Sequence, residues 1–234
     1  MSKFPRWYYN ELSQVGVDFE NQAEVEAYDR NQPSNSVQES LELLHSLNIQ
    51  QYHTVIEFGT ATGNFAIEAA KHCRVVHAVD VSKVMLEYAR NKYATQNINN
   101  LSFHHGGFLS YVHESEKADF IITKYAFHHL PDFWKQHALL RMAEMLKPGG
   151  KLYLEDVIFS FAPEEYETSI NAWIDEVAKP EGQGFTREQF EMHVREEHST
   201  YAWVLESMLE RVGFVIEEKN YFSPTYAHYL CIRQ

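Results

Sequence analysis

The sequence predicts an α/β fold in which strands and helices alternate, so that a mostly parallel sheet carries helices on both faces. The apolar run Val55–Phe58, interrupted by one acid, is typical of a strand buried on both faces. Small residues follow at once, and apolar residues at helical spacing begin at Phe65. A second strand-like run, Arg74–Asp80, comes next. Strand, turn, helix and strand in this order predict parallel neighbouring strands.

The turn after the first strand has the features of a nucleotide-binding turn. Gly59 and Gly63 let the backbone turn tightly and approach a ligand closely. The free amides at the start of the following helix point at whatever lies over the turn. Asp80 ends the second strand about twenty residues after Gly59, where a carboxylate can accept both hydroxyls of a ribose. The sequence therefore predicts a nucleotide site at this edge of the sheet.

The spacing of the small residues distinguishes between two kinds of nucleotide. The dehydrogenase fingerprint G-x-G-x-x-G requires three glycines, where this chain has Gly59, Ala61 and Asn64. The alternative spacing G-x-G-x-G is met at Gly59 and Gly63, with Ala61 between them. Glu57, two residues before the first glycine, belongs to the same pattern. These residues resemble the cofactor site of the class I S-adenosylmethionine-dependent methyltransferases.

The resemblance covers roughly residues 53–158, with a weaker match to the end of the chain. It implies a Rossmann-like methyltransferase fold, with a mostly parallel seven-stranded sheet, an antiparallel last strand, helices on both faces and an N-terminal helical cap. The expected single domain consists of a cap at 1–52, a cofactor-binding core at 53–158, a lid-like insertion at 159–199 and a terminal helix and hairpin at 200–234.

The resemblance makes S-adenosylmethionine the expected cofactor. The residues expected to bind it are Glu57, Gly59, Thr60, Ala61, Gly63, Asp80, Val81, Met85, Gly107, Phe108 and Lys124. For Met85, a place in the core is the stronger interpretation. Gly107 stands where the family commonly has an acid that holds the adenine amino group, so this contact must be weaker or come from elsewhere. For Ala61 we expect a negative φ, because an alanine in the left-handed conformation costs about 1–2 kcal/mol.

A polar loop is expected after the fourth predicted strand, Ala118–Thr123, at the sheet edge where ligands of open α/β sheets lie. Its residues Lys124–Asp132 are similar to an element found in many small-molecule methyltransferases. Because histidine titrates near neutral pH, His128 and His129 are the expected catalytic bases, with His198 as a third candidate. Either histidine of the loop can instead brace it, and an acceptor that is already anionic needs no base.

Aromatic residues are frequent before the first core strand. Tyr8, Tyr9 and Tyr28 can either face the active site or anchor this segment to the core, and the sequence favours neither. Ser34 is predicted to cap a helix that packs beside the first strand.

Composition limits the partners. The chain has 33 acidic and 20 basic residues and a net charge of −13, which repels a polyanion, so no nucleic acid is expected. No apolar run is long enough to span a bilayer, so no membrane partner is expected. Cys73 and Cys231 are predicted core thiols, and with no recognisable signal peptide they favour a cytoplasmic location. His104 and His105 point to opposite faces of a strand and lack a third ligand at zinc-like spacing, so no metal site is expected.

The sequence favours methyl transfer to a small-molecule acceptor by in-line displacement, in a monomer or homodimer. One alternative is a methyltransferase acting on RNA or protein, which would need a basic or extended docking face. Another is a cofactor-binding module without catalysis, for which Ala61 and Gly107 are the only indications.

Overall fold

The computed structural model describes residues 5–13, 19–32 and 35–234. Its strands are β1 (Thr54–Phe58), β2 (Val75–Asp80), β3 (Leu101–His105), β4 (Ala118–Lys124), β5 (Leu146–Phe159), β6 (Thr200–Tyr201), β7 (Phe214–Ser223) and β8 (Tyr226–Arg233). Its helices are α1 (Gln22–Arg30), α2 (Ser36–Ser46), α3 (Asn64–Ala69), α4 (Lys83–Ala94), α5 (Asp132–Met145), α6 (Tyr166–Val177), α7 (Arg187–Glu196) and α8 (Ala202–Arg211). Short 3-10 turns cover Phe127–His129 and Pro163–Glu165.

Within the described ranges one sheet has the strand order β3-β2-β1-β4-β5-β8-β7, and the two-residue β6 pairs with β5 beside this path. The first five strands pair with one another in parallel, whereas β8 lies antiparallel between β5 and β7. The predicted topology is therefore confirmed, with β6 as an addition. The register sets Phe58 of β1 against Val79 of β2 and Thr123 of β4, so the carboxyl ends of these strands meet at one edge.

Helices cover both faces of the sheet, as alternating strands and helices require. On one face, Val55 and Val76 pack with residues of α2 and α3, among them Leu44 and Phe65. Alternate strand residues lie on the other face, where Ile56 packs with residues of α5 and α8. The β1 residues are all buried, which explains their apolar character. Cys73 and Cys231 are buried free thiols, as predicted.

Three element boundaries differ from those predicted. Thr200 and Tyr201 form β6 beside β5, so the last helix begins at Ala202. β7 continues to Ser223, which leaves only two residues for the hairpin turn. The predicted cap Ser34 lies outside the described residues, and Asn35 precedes the first residue of α2.

The insertion after β5 has the two predicted helices. α7 begins with a capping box, in which the side chains of Thr186 and Gln189 each accept a hydrogen bond from the other's backbone N–H. Trp173 and Ile174 of α6 are buried against Val157 of β5, so this helix is packed onto the sheet. None of the helices in the described ranges combines the length and apolar character needed to cross a bilayer.

Candidate active site

The two glycines after β1 are required by backbone geometry and packing. Gly59 has a φ of 71° and Gly63 a φ of 80°, both in the left-handed region that disfavours side chains. A Cβ on Gly59 would overlap the Cβ of Ala126, in the loop after β4. A Cβ on Gly63 would lie 3.0 Å from that of Ala89 in α4. The turn is therefore held tightly between two neighbouring elements.

The prediction of a negative φ at Ala61 is wrong. Its φ is 47°, so the alanine adopts the left-handed conformation between the two glycines. Its N–H donates a hydrogen bond of 2.8 Å to Oδ2 of Asp80. A hydrogen bond to a charged group contributes about 1.5–3 kcal/mol, which can offset the backbone strain of about 1–2 kcal/mol. The contact that ties the turn to the end of β2 also fixes the strained conformation.

Asp80 joins the ends of β1 and β2. Its Oδ2 accepts the bond from Ala61, and its Oδ1 accepts one of 2.9 Å from the N–H of Ser82, the N-cap of α4. Burial raises the pKa of Asp80, and these backbone donors counteract the rise. Because each carboxylate oxygen can accept more than one hydrogen bond, both remain able to accept ribose hydroxyls.

Glu57 and Thr60 form a buried pair behind the turn. The Thr60 hydroxyl donates a 2.5 Å hydrogen bond to Oε2 of Glu57. Burial raises the pKa of Glu57 to about 8, against the lowering effect of this hydrogen bond. Neither residue lines the cavity described below, and Gly63 does not line it either. The structure thus places these three predicted cofactor residues behind the wall of the site.

A cavity of about 420 Å³ opens over the carboxyl edge of the sheet. Ten of the thirteen residues predicted for the site line it: Gly59, Ala61, Asp80, Val81, Met85, Gly107, Phe108, Lys124, His128 and His129. Tyr9, Tyr28 and His198 line it as well, whereas Tyr8 packs edge-on against Trp134. Two of the three N-terminal tyrosines therefore reach the cavity.

An acid from the N-terminal segment occupies the space beside Gly107. A Cβ on Gly107 would lie 2.6 Å from Oε2 of Glu11, so a side chain at that position would require the Glu11 carboxylate to move. The Glu11 carboxylate accepts hydrogen bonds from the backbone N–H groups of Leu109, at 2.9 Å, and Ser110, at 2.6 Å. Burial raises the pKa of Glu11, while these bonds counteract the rise. Glu11 thus lies where the acid absent from position 107 would be.

His128 is held from two sides. Its Nδ1 lies 2.5 Å from Oδ1 of Asp156, near the end of β5, and Asp156 also accepts the backbone N–H groups of Phe127 and His128. Burial lowers the pKa of His128, but the carboxylates of Asp156 and Glu197 outweigh it and raise the pKa to about 9. Burial and then the charge of His128 lower the pKa of its neighbour His129 to about 3.

The insertion contributes two further polar residues to the cavity, His193 and Glu197. Oε2 of Glu197 lies 3.1 Å from Nε2 of His128 and also contacts Nδ1 of His193. Burial raises the pKa of Glu197, but the two imidazoles outweigh it and hold the pKa below its usual range. His198 follows directly, and its backbone N–H donates to the carbonyl of His128 at 2.8 Å. The end of α7 is thereby attached to the loop after β4.

Sequence reasoning gave Glu11 no role and placed Asp156 only at the carboxyl edge of the sheet. It counted His193 and Glu197 among the polar residues of the insertion, of which one or two were expected to touch the substrate, without singling them out. Glu11 carries no local signal, because its partners lie about a hundred residues away in the chain. His193 and Glu197 are four residues apart, which places them on one face of a helix. That spacing is the one feature that could have identified them.

Known proteins that are similar to this chain are described as methyltransferases. A family model described as a methyltransferase domain matches residues 55–150. A protein of Anoxybacillus flavithermus, described as an uncharacterized methyltransferase, is 28% identical over 174 residues, which cover 74% of this chain and 75% of that protein.

Solved structures show the same fold. A SAM-dependent methyltransferase from Aquifex aeolicus is 16% identical, with a TM-score of 0.65 over 92% of this chain and 99% of that one. The N-methyltransferase NodS from Bradyrhizobium japonicum, solved with S-adenosylhomocysteine, is 16% identical, with a TM-score of 0.59 over 84% of this chain and 85% of that one.

Proposed function

We propose that this chain, which belongs to the class I S-adenosylmethionine-dependent methyltransferases, transfers the methyl group to a small-molecule acceptor bound beneath α6 and α7. S-adenosylmethionine is its cofactor. The observation that carries the acceptor class is the size of the cavity. At about 420 Å³ it is near the lower end of the roughly 300–1,000 Å³ typical of small-molecule sites, yet it has to hold both cofactor and acceptor.

The cofactor half of the cavity follows the edge of β1, β2 and β3. Asp80 would accept the ribose hydroxyls, and the turn at Gly59 and Ala61 would lie against the methionine portion. Phe108 would pack on the adenine ring. Glu11 would accept a hydrogen bond from the adenine amino group, in place of the acid that the family commonly has at position 107. This arrangement directs the sulfonium towards the loop that carries His128 and His129.

The acceptor half lies between that loop and the insertion. Trp173, Phe190 and Tyr226 supply aromatic walls, and the Trp173 ring contacts those of Phe190 and Tyr226 at centroid distances of 5.2 and 5.9 Å. These walls exclude water from the reacting centre and restrict the orientation of a small acceptor. The net charge of −13 disfavours RNA as the acceptor, because it repels a polyanion. The helices that cover the cavity disfavour a side chain on the surface of a large protein.

The reaction needs alignment more than activation, because the sulfonium is already a good leaving group. A nucleophilic atom of the acceptor forms a bond to the methyl carbon as the carbon–sulfur bond breaks, and S-adenosylhomocysteine leaves as a neutral thioether. Among the described residues, His128 has partners at both ring nitrogens, whereas none hydrogen-bonds to the ring of His129. We therefore assign His129 the place beside the acceptor, and His128 the support of the loop.

The acceptor class can be tested with methyl-labelled S-adenosylmethionine and a cell extract separated by size. We expect label to enter the low-molecular-mass fraction, and an Asp80→Ala variant to abolish the transfer. Label found only in protein or RNA would contradict the small-molecule assignment. A His129→Ala variant should lose turnover while keeping its affinity for S-adenosylhomocysteine in calorimetry, and loss of affinity alone would reassign this residue to the cofactor site.

A further inference from the structure

Three potential metal-ligating atoms converge at one wall of the cavity. They are Nε2 of His128, Nδ1 of His193 and an oxygen of Glu197, and all lie within 4.8 Å of one another. Two donor atoms bound at 2.0–2.2 Å to a tetrahedral ion are about 3.3 Å apart, close to the 3.1 Å between His128 Nε2 and Glu197 Oε2. All three residues line the cavity.

The neighbours of both imidazoles hold the ring protons away from this cluster. Asp156 lies 2.5 Å from Nδ1 of His128 and accepts the proton of that nitrogen, so Nε2 is the atom that can give up its proton and offer a lone pair to an ion. Nε2 of His193 lies 2.8 Å from the hydroxyl of Ser199, which can accept the second ring proton and leave Nδ1 free. A carboxylate behind a ligating histidine is the usual arrangement that fixes the tautomer at a metal site.

Glu197 supplies an independent observation. Its Oε2 is buried and makes no hydrogen bond of ordinary geometry, although two imidazole nitrogens surround it. A buried carboxylate oxygen that has ion-pair contacts but no well-formed hydrogen bond needs an explanation. When Asp156 and Ser199 each hold one ring proton, the three remaining donor atoms lie together, and a cation between them can take the place of the protons that the imidazoles share with Glu197.

We propose that His128, His193 and Glu197 bind a divalent transition-metal ion, zinc by its donor set, with a coordination position open to the cavity. Two histidines and one glutamate are a ligand set of catalytic zinc sites, which keep a fourth position for water or substrate. This proposal departs from the sequence-based expectation that no metal is bound. The three ligands come from the loop after β4 and from the end of α7, so the ion would also bridge the core and the insertion.

The ion would deepen the proposed function, on which this step rests. A thiol or hydroxyl of the acceptor would occupy the open position and lose its proton to solvent, because the ion stabilises the resulting anion. A lone pair on the sulfur or oxygen would then attack the methyl carbon, with the carbon–sulfur electron pair returning to the cofactor. The methylated product is a weaker ligand without its charge and would leave the ion.

Zinc binding to the chelator-treated protein would test the site directly. We expect one zinc ion per chain by calorimetry and elemental analysis, and visible absorption of a four-coordinate Co²⁺ form. His193→Ala and Glu197→Gln should each lower zinc affinity at least tenfold, and Asp156→Asn about 10- to 100-fold. His72→Ala is the matched control, since His72 pairs with Glu68 at the same four-residue spacing and neither residue lines the cavity, and its zinc affinity should equal that of the wild type.

The readouts separate failure of the metal site from failure of the proposed function. Each variant should keep its affinity for S-adenosylhomocysteine, which shows that it is folded. Equal zinc affinity in the wild type and Glu197→Gln, or no zinc binding by the wild type, would overturn the site. Undiminished methyl transfer to a small molecule after chelation would overturn the role of the ion but leave the proposed function intact.

Discussion

Replacing Ala61 by glycine should stabilise the protein, although the residue lies in a predicted cofactor turn. Ala61 has a φ of 47° and is held there by its hydrogen bond to Asp80. Glycine adopts this conformation without the steric cost of a Cβ and keeps the N–H that Asp80 accepts. The substitution therefore removes strain and leaves the contact in place.

The size of the effect follows from two opposing contributions. Removing the left-handed strain gains about 1–2 kcal/mol. The added freedom of glycine in the unfolded chain costs about 0.4–1 kcal/mol. The free energy of unfolding should thus increase by about 1 kcal/mol, which corresponds to a rise in Tm of about 2–4 °C for a protein of this length.

Thermal unfolding followed by circular dichroism measures this difference. Ala94→Gly is the control, because Ala94 is exposed and lies at the end of α4 with a helical φ. It should lose about 0.5–1 kcal/mol. A fall in Tm for Ala61→Gly like that of the control would refute the reasoning that Ala61 is strained. Affinity for S-adenosylhomocysteine should be retained in both variants.

Three other predictions concern residues in and behind the proposed cofactor half of the cavity. Gly59→Ala should destabilise the protein by about 2–4 kcal/mol in urea denaturation, because it adds left-handed strain and overlaps with Ala126. A second substitution, Ala126→Gly, in the same chain should recover the part of this loss that is due to the overlap. If stability does not recover, the overlap is not the cause. Glu11→Ala should lower the affinity for S-adenosylhomocysteine, measured by calorimetry, at least tenfold. The affinity for an analogue that lacks the adenine amino group should change little. Equal losses of affinity for both ligands would indicate that Glu11 has only a structural role. Burial raises the pKa of Glu57 to about 8 in the folded protein, from its ordinary value of 4.5. The protonated form therefore favours the folded state below pH 4.5, and this stability is lost as the pH rises to about 8. Glu57→Gln should remove that part of the pH dependence between 5 and 8, and an unchanged profile would contradict the assignment.

The order of elements and the cofactor edge could be predicted because they depend on local patterns. The burial of β1 follows from its apolar residues, and Gly59 and Asp80 mark the ends of adjacent parallel strands. The φ of Ala61 could not be predicted, because it depends on a hydrogen bond to a residue on another strand. Propensity alone favours the negative value there.

The polar groups that arrive from distant segments were equally beyond local patterns. Glu11 reaches the site across the chain, and its place was indicated only indirectly, by the missing acid at Gly107. His128 and Glu197 meet because the end of α7 returns to the loop after β4, which no spacing in the sequence encodes. The sequence therefore located the residues of the proposed cofactor half of the cavity better than those of the proposed acceptor half.

The pairing of β5 with β6 has a consequence for how such an enzyme could change its substrate. Phe159 and Tyr201 are register partners, so the polypeptide departs from the sheet and rejoins it on adjacent strands, whose backbones lie about 5 Å apart. The insertion between these two residues therefore begins and ends at neighbouring positions of the sheet. A segment of different length or sequence could replace the insertion without shifting any other strand. Under the proposed function, the choice of acceptor could then change, in evolution or in engineering, independently of the residues that bind the methyl donor.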